Sequence, residues 1–228
     1  MIKNLTLLVL VFISFCAKAQ IKKGTLLVGG QISAGKSDNN YNQSVYPFPQ
    51  PIPYFQNDNF NYTNVGISIG KAVKDNRVIG FNFNTANFKQ TFFYNSTESS
   101  KAKGNQNEAG VFYRSYRKLG KDIYFFGQAN ALINFGKTKY NYSSSINNST
   151  LKKTGVSLSF SPGLAYAISK KFHIELSMQN LLEIQYISSK QEFTNPANQT
   201  LKNNSYGFNS SLSTGVLGNI GIGFRLVL

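Results

Sequence analysis

Residues that could bind a nucleotide phosphate stand near the start of the chain. Gly30, Gly35, Lys36 and Ser37 fit the spacing G-x-x-x-x-G-K-[ST], in which backbone amides and a lysine hold phosphate groups. The motif requires a strand before it and a helix after it. The preceding "TLLVGGQ" fits a strand, but the residues after Ser37 are rich in Asn and include the proline-rich segment 47–53, where no helix can begin. We therefore interpret the match as coincidental and expect no nucleotide partner.

His173 is the only histidine and so the one candidate for a hydrolase base. Glu175 lies two residues further on, which on a strand is the same face. A hydrolytic triad would also need a serine within reach of the imidazole. A metal site needs several His, Cys or carboxylate ligands close together, and one histidine with scattered carboxylates does not supply them. We expect no catalytic residue, no metal and no cofactor, and we favour His173 as a polar wall residue.

The first 19 residues have the pattern of a secretory signal peptide. Lys3 provides a positive start, Leu5–Phe15 is a nearly continuous apolar run, and Ala17-Lys18-Ala19 is a cleavage signal. The apolar run is shorter than the ~20 residues that cross a bilayer as a helix, although an N-terminal anchor remains the alternative. We predict a signal peptide at residues 1–19 and one mature domain at residues 20–228.

Cleavage would remove the only cysteine, Cys16, so the mature chain would have no thiol, disulfide or cysteine-based site. Lipoprotein processing at Cys16 is disfavoured because Phe15 stands where a small residue is needed. The signal peptide holds two lysines and no acid, so the mature chain carries +13 rather than +15. In an exported protein this charge favours anionic lipid head groups as partners over nucleic acid.

The mature chain shows alternation of apolar and polar residues with a period of two, in about eight runs. Short basic turns alternate with long polar connections. The turns are "KAVKDNR", "RKLGKD" and "ISKK", and the connections are Ser37–Asn59, Asn95–Gln106, Lys137–Thr154 and Ser188–Ser205. This pattern predicts an all-β, antiparallel up-and-down transmembrane β-barrel of about eight strands, with short periplasmic turns and four long surface loops.

The two faces of the predicted strands differ in size and polarity. In the clearest run, Val156, Leu158 and Phe160 alternate with Ser157 and Ser159. An eight-stranded barrel has room inside for side chains only, so we expect the small polar face inside and the large apolar face against lipid. Closure of the barrel would pair every backbone group, as hydrocarbon demands. A soluble lipocalin-like carrier, with the apolar face inside, is the alternative.

Three stretches resemble one protein family: the leader ending Ala17-Lys18-Ala19-Gln20, the hairpin "VFYRSYRKLGKDIYFFGQANALINFG" and the terminal "GIGFRLVL". They are similar to the small eight-stranded outer-membrane β-barrel family of Gram-negative bacteria, the porin-superfamily outer membrane protein beta-barrel domain. The resemblance implies an integral outer-membrane protein inserted by the barrel assembly machinery. Such barrels usually end on an aromatic residue, whereas this chain ends on Leu228, with Phe224 as its last aromatic residue.

Interior charges are predicted from the order of the last two strands. Glu175 follows a periplasmic turn and Arg225 precedes the C-terminus, so both should point inward at a similar depth and form an ion pair. Arg114, Glu108 and Glu183 are further interior candidates. One interpretation is structural, because buried charges must be paired. The other is a gate in which the pairs exchange partners to pass ions; a filled eight-stranded interior favours the first.

Basic residues concentrate at the short turns, where we expect them to contact anionic head groups of the inner leaflet. They are Lys71, Lys74, Arg77, Arg117, Lys118, Lys121, Lys170 and Lys171. Each such contact contributes about 1 kcal/mol near an anionic surface. The proline-rich segment 47–53 is predicted to be an extended, stiff surface loop.

The function predicted from these features is that of a non-enzymatic outer-membrane barrel with a polar, filled lumen, serving envelope structure or surface interaction. An unidentified surface ligand would bind through the loops. A narrow channel for ions or small solutes is the alternative. A lipid-modifying enzyme and a lipocalin-like carrier are less favoured.

Overall fold

Ten antiparallel strands form the fold in a computed structural model, which describes residues 21–40, 57–93, 99–141, 148–194, 199–210 and 220–228. The strands are β1 (Leu26–Asn40), β2 (Asn57–Lys74), β3 (Arg77–Phe93), β4 (Ser99–Lys118), β5 (Ile123–Asn141), β6 (Ser149–Ala167), β7 (Phe172–Met178), β8 (Leu182–Phe193), β9 (Thr200–Ser210) and β10 (Ile220–Val227). Within these ranges there is no helix with the length and apolar character needed to cross a bilayer.

The strands close into a ring with eight positions. Strands β1 to β6 pair in sequence order, and β10 returns to pair with β1 from Leu27↔Val227 to Ile32↔Ile222. Strands β7 and β8 lie one after the other along β6, so together they occupy one position. Strand β9 continues beside β8, and β10 beside β7. The predicted antiparallel up-and-down barrel is confirmed.

The seventh position of the ring is interrupted, although the sequence predicts one continuous strand there. Strand β7 ends at Met178 and β8 begins at Leu182. Asn180 between them has a positive φ of 47°, and its backbone N–H donates to Ser161 Oγ at 3.0 Å. Asn tolerates this left-handed conformation better than most residues. The alternation of inward and outward side chains on β8 continues that of β7. The period of the apolar residues therefore gives no sign of the interruption.

The strands extend further into the four long connections than predicted. Strands β5 and β6, for example, stay paired out to Tyr140↔Ser149. Beyond the apolar band both faces of a strand meet water, so the backbone ladder continues without any alternation in hydrophobicity. The proline-rich segment 47–53 and the predicted signal peptide, 1–19, lie outside the described residues.

The large apolar side chains point outward. Ile67, Phe81 and Ile133 are 63%, 66% and 62% exposed in the isolated chain. They belong to a band of exposed Ile, Leu, Val and Phe that covers the outside of the barrel. This confirms the predicted lipid-facing surface, and it is the reverse of the arrangement in a soluble lipocalin-like carrier.

An apolar core fills the lumen at the end with the short turns, where the sequence had predicted a polar interior throughout. Tyr124, Phe112, Phe126 and Leu27 are almost completely buried there, together with Ile21 from the segment before β1. Burial of each large side chain stabilises by roughly 1.5–3 kcal/mol. The lumen is therefore apolar at its turn end and polar above it.

The stretch Gly30–Ser37 lies inside strand β1. It pairs with β2 from Gly30↔Ile67 to Ser37↔Phe60. A phosphate-binding loop needs backbone amides turned toward a common point, whereas these residues belong to a regular antiparallel ladder.

Candidate functional site: a buried charge cluster in the lumen

Two side chains from adjacent strands meet just above the apolar core. Glu175 projects inward from β7 and Arg225 from β10. Arg225 Nε donates to Glu175 Oε1 at 2.8 Å, and its Nη2 donates to Oε2 at 3.1 Å. Strands β7 and β10 are antiparallel, with Gly223 opposite Glu175 and Arg225 opposite His173. The two side chains are therefore diagonal neighbours on the inner face.

A second arginine reaches the same carboxylate from the other side of the barrel. Arg114 on β4 donates from Nη1 to both oxygens of Glu175, at 2.7 and 2.8 Å. Tyr116 donates its hydroxyl to Glu175 Oε1 at 3.2 Å. The charged side chains are only 4–7% exposed. One carboxylate thus bridges two guanidinium groups and ties β4 to β7 and β10 across the lumen.

Neighbouring side chains fix both arginines. Arg114 Nε donates to Gln128 Oε1 at 2.6 Å, and its guanidinium carbon lies 4.2 Å from the centre of the Phe126 ring. Arg225 lies against Gly29, where an added Cβ would come within 2.9 Å of its guanidinium carbon. A larger residue at position 29 would have to displace the Arg225 guanidinium. The cluster carries one net positive charge, and both carboxylate oxygens of Glu175 accept hydrogen bonds from the two arginines.

Glu108 and Glu183 do not join this cluster. They line a cavity of about 500 Å³ that opens toward the loop end of the barrel. Glu108 accepts hydrogen bonds from Gln106 at 3.2 Å and Asn84 at 3.4 Å. Neither carboxylate forms an ion pair with a cationic side chain of the described residues. The sequence placed them in the lumen, but the structure separates them from the arginines.

Two smaller polar cavities lie between this cavity and the cluster. One of about 80 Å³ is lined by Asn82, Asn130 and Arg114, among others, and one of about 20 Å³ reaches Glu175 and Arg225. Both of these cavities reach the ion cluster, the larger through Arg114 and the smaller through Glu175 and Arg225. Below the ion cluster the aromatic core closes the lumen.

His173 lies inward at the closed end. It is 1% exposed, and its ring stacks on Tyr124 with centres 5.9 Å apart. Neither ring nitrogen has a hydrogen-bond partner within the described ranges. The nearby Glu175 is fully engaged by arginines, so no triad is assembled. The described residues also contain no group of three His, Cys, Asp or Glu side chains placed to hold a metal ion.

The basic residues of the short turns gather at one end of the barrel. They lie within or directly beside the connections at 75–76, 119–122 and 168–171. All eight are exposed except Lys118, which is half-buried. Their side chains are available to a charged surface at the level where the apolar band ends.

A second ion-pair group lies on the outer surface of the loop-side strands, beyond the apolar band. Glu192 contacts Lys152 at 3.0 Å and Lys190 at 2.8 Å. Hydrogen bonds from Lys190 and Lys152 lower the pKa of Glu192 from 4.5 to about 2. Because the pKa of Glu192 is lowered, the attraction between its carboxylate and the two lysines is fully present above pH 4.5. The attraction is lost as the pH falls toward 2.

The pKa of Glu192 can be measured directly. We expect its side-chain carbon signal, followed by NMR in neutral detergent at low ionic strength, to titrate below its ordinary value of 4.5. In Lys152→Gln/Lys190→Gln the midpoint should return toward 4.5, because both donors are gone. An unchanged midpoint in the double variant would contradict the assigned cause.

The sequence of the chain matches a known family over most of its length. The profile of the outer membrane protein beta-barrel domain covers residues 5–213. The chain belongs to this family. As an outer membrane protein beta-barrel domain it is integral to the outer membrane of a Gram-negative bacterium. The turn end of such a barrel is periplasmic and the loop end faces outward.

Three solved structures that match this barrel share little sequence with it. Neisserial surface protein A is 10% identical, covers 90% of this chain and 98% of its own, and has a TM-score of 0.36. A major outer membrane protein from Thermus thermophilus is 10% identical over 90% of this chain and 99% of its own, with a TM-score of 0.44. Ail, the attachment invasion locus protein of Yersinia pestis, is 11% identical. The match covers 90% of this chain and 95% of Ail, with a TM-score of 0.33. No protein of curated function matches the sequence.

Sequence reasoning missed the groups that complete the cluster, namely Tyr116, Gln128 and Phe126. The signal was present in the alternation. Tyr116 has the same inward phase as Arg114 on β4, and Phe126 and Gln128 share one phase on β5. Their role depends on how far across the lumen Arg114 reaches, and that distance is set only by closure of the barrel.

Proposed function

We propose that this protein is a non-enzymatic, closed outer-membrane barrel that acts in the envelope through its outward-facing end. The observation that carries the proposal is the filled periplasmic half of the lumen. There the Arg114–Glu175–Arg225 cluster lies directly above Phe126 and the rest of the apolar core. A packed interior of this kind leaves no aqueous path through the barrel.

The outward-facing end supports a role at the surface. Strands β3 to β6 run well past the apolar band, and β9 is exposed on both faces for most of its length. The four long connections join the ends of these extended strands. The ligand they would bind is a protein or glycan of the cell's surroundings, held by side chains of the loops.

The periplasmic end supports two further contacts. Its eight basic residues are placed to meet the anionic head groups of the inner leaflet, each for about 1 kcal/mol. Strand β10 presents Ile222, Phe224 and Leu226 outward, and we propose that the barrel assembly machinery recognises this strand.

Conductance in a planar bilayer tests the closed barrel. We expect the refolded protein to produce no current steps above those of the lipid alone, because the ion cluster and the aromatic side chains fill the lumen. In vesicles that contain the refolded protein, the phospholipid and lipid A composition should stay unchanged over hours, since His173 is buried and Glu175 is held by two arginines.

The competing hypothesis is a narrow ion channel, which would use the chain of polar cavities above the cluster. Current steps in the native protein, altered by Glu175→Ala or Arg225→Ala, would replace the closed barrel with this channel. Breakdown of lipid that persists in His173→Ala would point to a contaminating enzyme, and breakdown abolished by that change would establish catalysis.

A further inference from the structure

Seven lysines form two rows on the outside of the outward-facing half of the barrel. In each row the residues are direct partners in the antiparallel register. The first row is Lys137, Lys152, Lys190 and Lys202 on β5, β6, β8 and β9, and the second is Lys89, Lys103 and Lys139 on β3, β4 and β5. All seven side chains are exposed.

These lysines continue the surface that faces lipid. Their positions have the same phase as the outward apolar residues of their strands, which include one complete cross-strand row, Phe83, Ala109, Ile133, Val156, Tyr186 and Tyr206. The first lysine row lies four residues beyond that apolar row and the second lies six residues beyond it. At ~3.3 Å per residue this is about 13–20 Å along the strands, and less along the membrane normal because the strands tilt. The ammonium groups therefore lie at the level of lipid head groups.

Placing lysines opposite one another on neighbouring strands is unfavourable in isolation. Directly opposed like charges destabilise a sheet, because the facing Cβ atoms are only about 4.5–5.5 Å apart. Glu192 is the one carboxylate of the described residues in these rows, and it contacts Lys152 and Lys190 alone. The other five lysines form no ion pair within the described chain. The rows hold an excess of positive charge that an external anion would neutralise.

We propose that the two lysine rows bind the phosphate groups of phosphorylated glycolipids in the outer leaflet of the membrane. The rows are continuous with the lipid-facing surface, so a ligand anchored in the bilayer reaches them with its acyl chains against the apolar row. A head group with more than one phosphate fits opposed lysines, because its phosphates can contact lysines on two neighbouring strands at once. This contact is on the opposite side of the membrane from the basic turns, and it goes beyond the proposed closed barrel.

Two double variants and one matched control test the proposal. Lys137→Gln/Lys202→Gln removes two charges from the first row and Lys89→Gln/Lys103→Gln removes two from the second. The control, Lys22→Gln/Lys23→Gln, removes two exposed charges at the periplasmic end. Each full-length protein is refolded in neutral detergent, and binding of fluorescent bisphosphorylated lipid A is titrated. Parallel titrations use inorganic phosphate, zwitterionic phosphatidylcholine and the soluble polyanion heparin.

We expect the native protein and the control to bind lipid A with similar affinity. Each row variant should bind about thirtyfold more weakly, since each basic residue near an anionic surface changes affinity by about fivefold. Added salt should weaken native binding. Equal affinity of all four proteins would overturn the proposal. Competition by inorganic phosphate at matched phosphate concentration would assign the rows to free phosphate, and preference for heparin would assign them to a soluble polyanion; either result overturns the lipid assignment.

Thermal unfolding, followed by the gel shift between unboiled and boiled samples, provides a second readout. In neutral detergent the row variants should melt higher than the native protein, because repulsion between opposed lysines is removed. With lipid A present the order should reverse, because only the native rows gain the lipid contacts. Row variants that melt lower than the native protein in both conditions would indicate a structural role for the lysines and contradict the proposal.

Discussion

Glu175→Ala is expected to lower the free energy of unfolding by about 3–5 kcal/mol, because it leaves Arg114 and Arg225 as uncompensated buried charges. Glu175 is the sole carboxylate that contacts these two guanidinium groups within the described residues. Urea titration of the refolded barrel in detergent, followed by the gel shift between unboiled and boiled samples, measures the loss. The unfolding midpoint should fall sharply, or the folded band should disappear.

The matched control is Glu192→Ala, which also removes a carboxylate that bridges two cationic side chains. Glu192 lies on the outer surface, where water replaces the lost contacts. Its midpoint should stay close to that of the native protein. An equally small change of the midpoint in Glu175→Ala would mean that water reaches the buried cluster. That result would contradict a lumen without water at this level.

Phe126→Ala is the second change with a large expected effect, a loss of about 3–5 kcal/mol of unfolding free energy. The ring is 1% exposed, lies 5.8 Å from Tyr116 between ring centres, and supports Arg114 from below. Removing it creates a cavity at the point where the lumen is closed. The same urea titration measures the destabilisation, and planar-bilayer recording should reveal a leak where the native barrel shows none.

Phe126→Leu separates the two consequences. Leucine keeps much of the buried volume, so the loss of stability should be smaller and the lumen should stay closed. A leak of equal size in the leucine and alanine variants would show that the aromatic core does not close the lumen. A fully stable alanine variant would show that the core collapses around the missing ring.

The face of each strand could be predicted from the sequence, because the membrane imposes it. On β6, Val156 and Leu158 must face lipid while Ser157 and Ser159 face the lumen, so alternation in composition records the fold directly. The alternation of apolar and polar residues disappears wherever both faces of a strand are in contact with water. The outer parts of β5 and β6 are strand, yet their residues resemble those of a loop.

The ion cluster could be predicted in part. Glu175 and Arg225 lie on strands at neighbouring positions of the ring, so their proximity follows from topology alone. Arg114 lies on β4 and reaches Glu175 across the lumen, which requires the diameter and stagger of the closed barrel. Composition was misleading for Phe112, Tyr124 and Phe126. Large apolar residues as a class were expected to face lipid, although the alternation put Phe112 on the same face as Arg114. At the periplasmic end such residues also fill the interior.

The pairing of β1 with β10 has a consequence for how the protein is made. Leu27 and Val227 are direct partners although about 200 residues separate them in the chain. Contacts this distant in sequence form late, since a long loop must close before they contribute any stability. The first strand therefore has no second neighbour until the last one has been synthesised and exported. Until then one edge of β1 has unpaired backbone groups, and an unpaired strand edge favours aggregation.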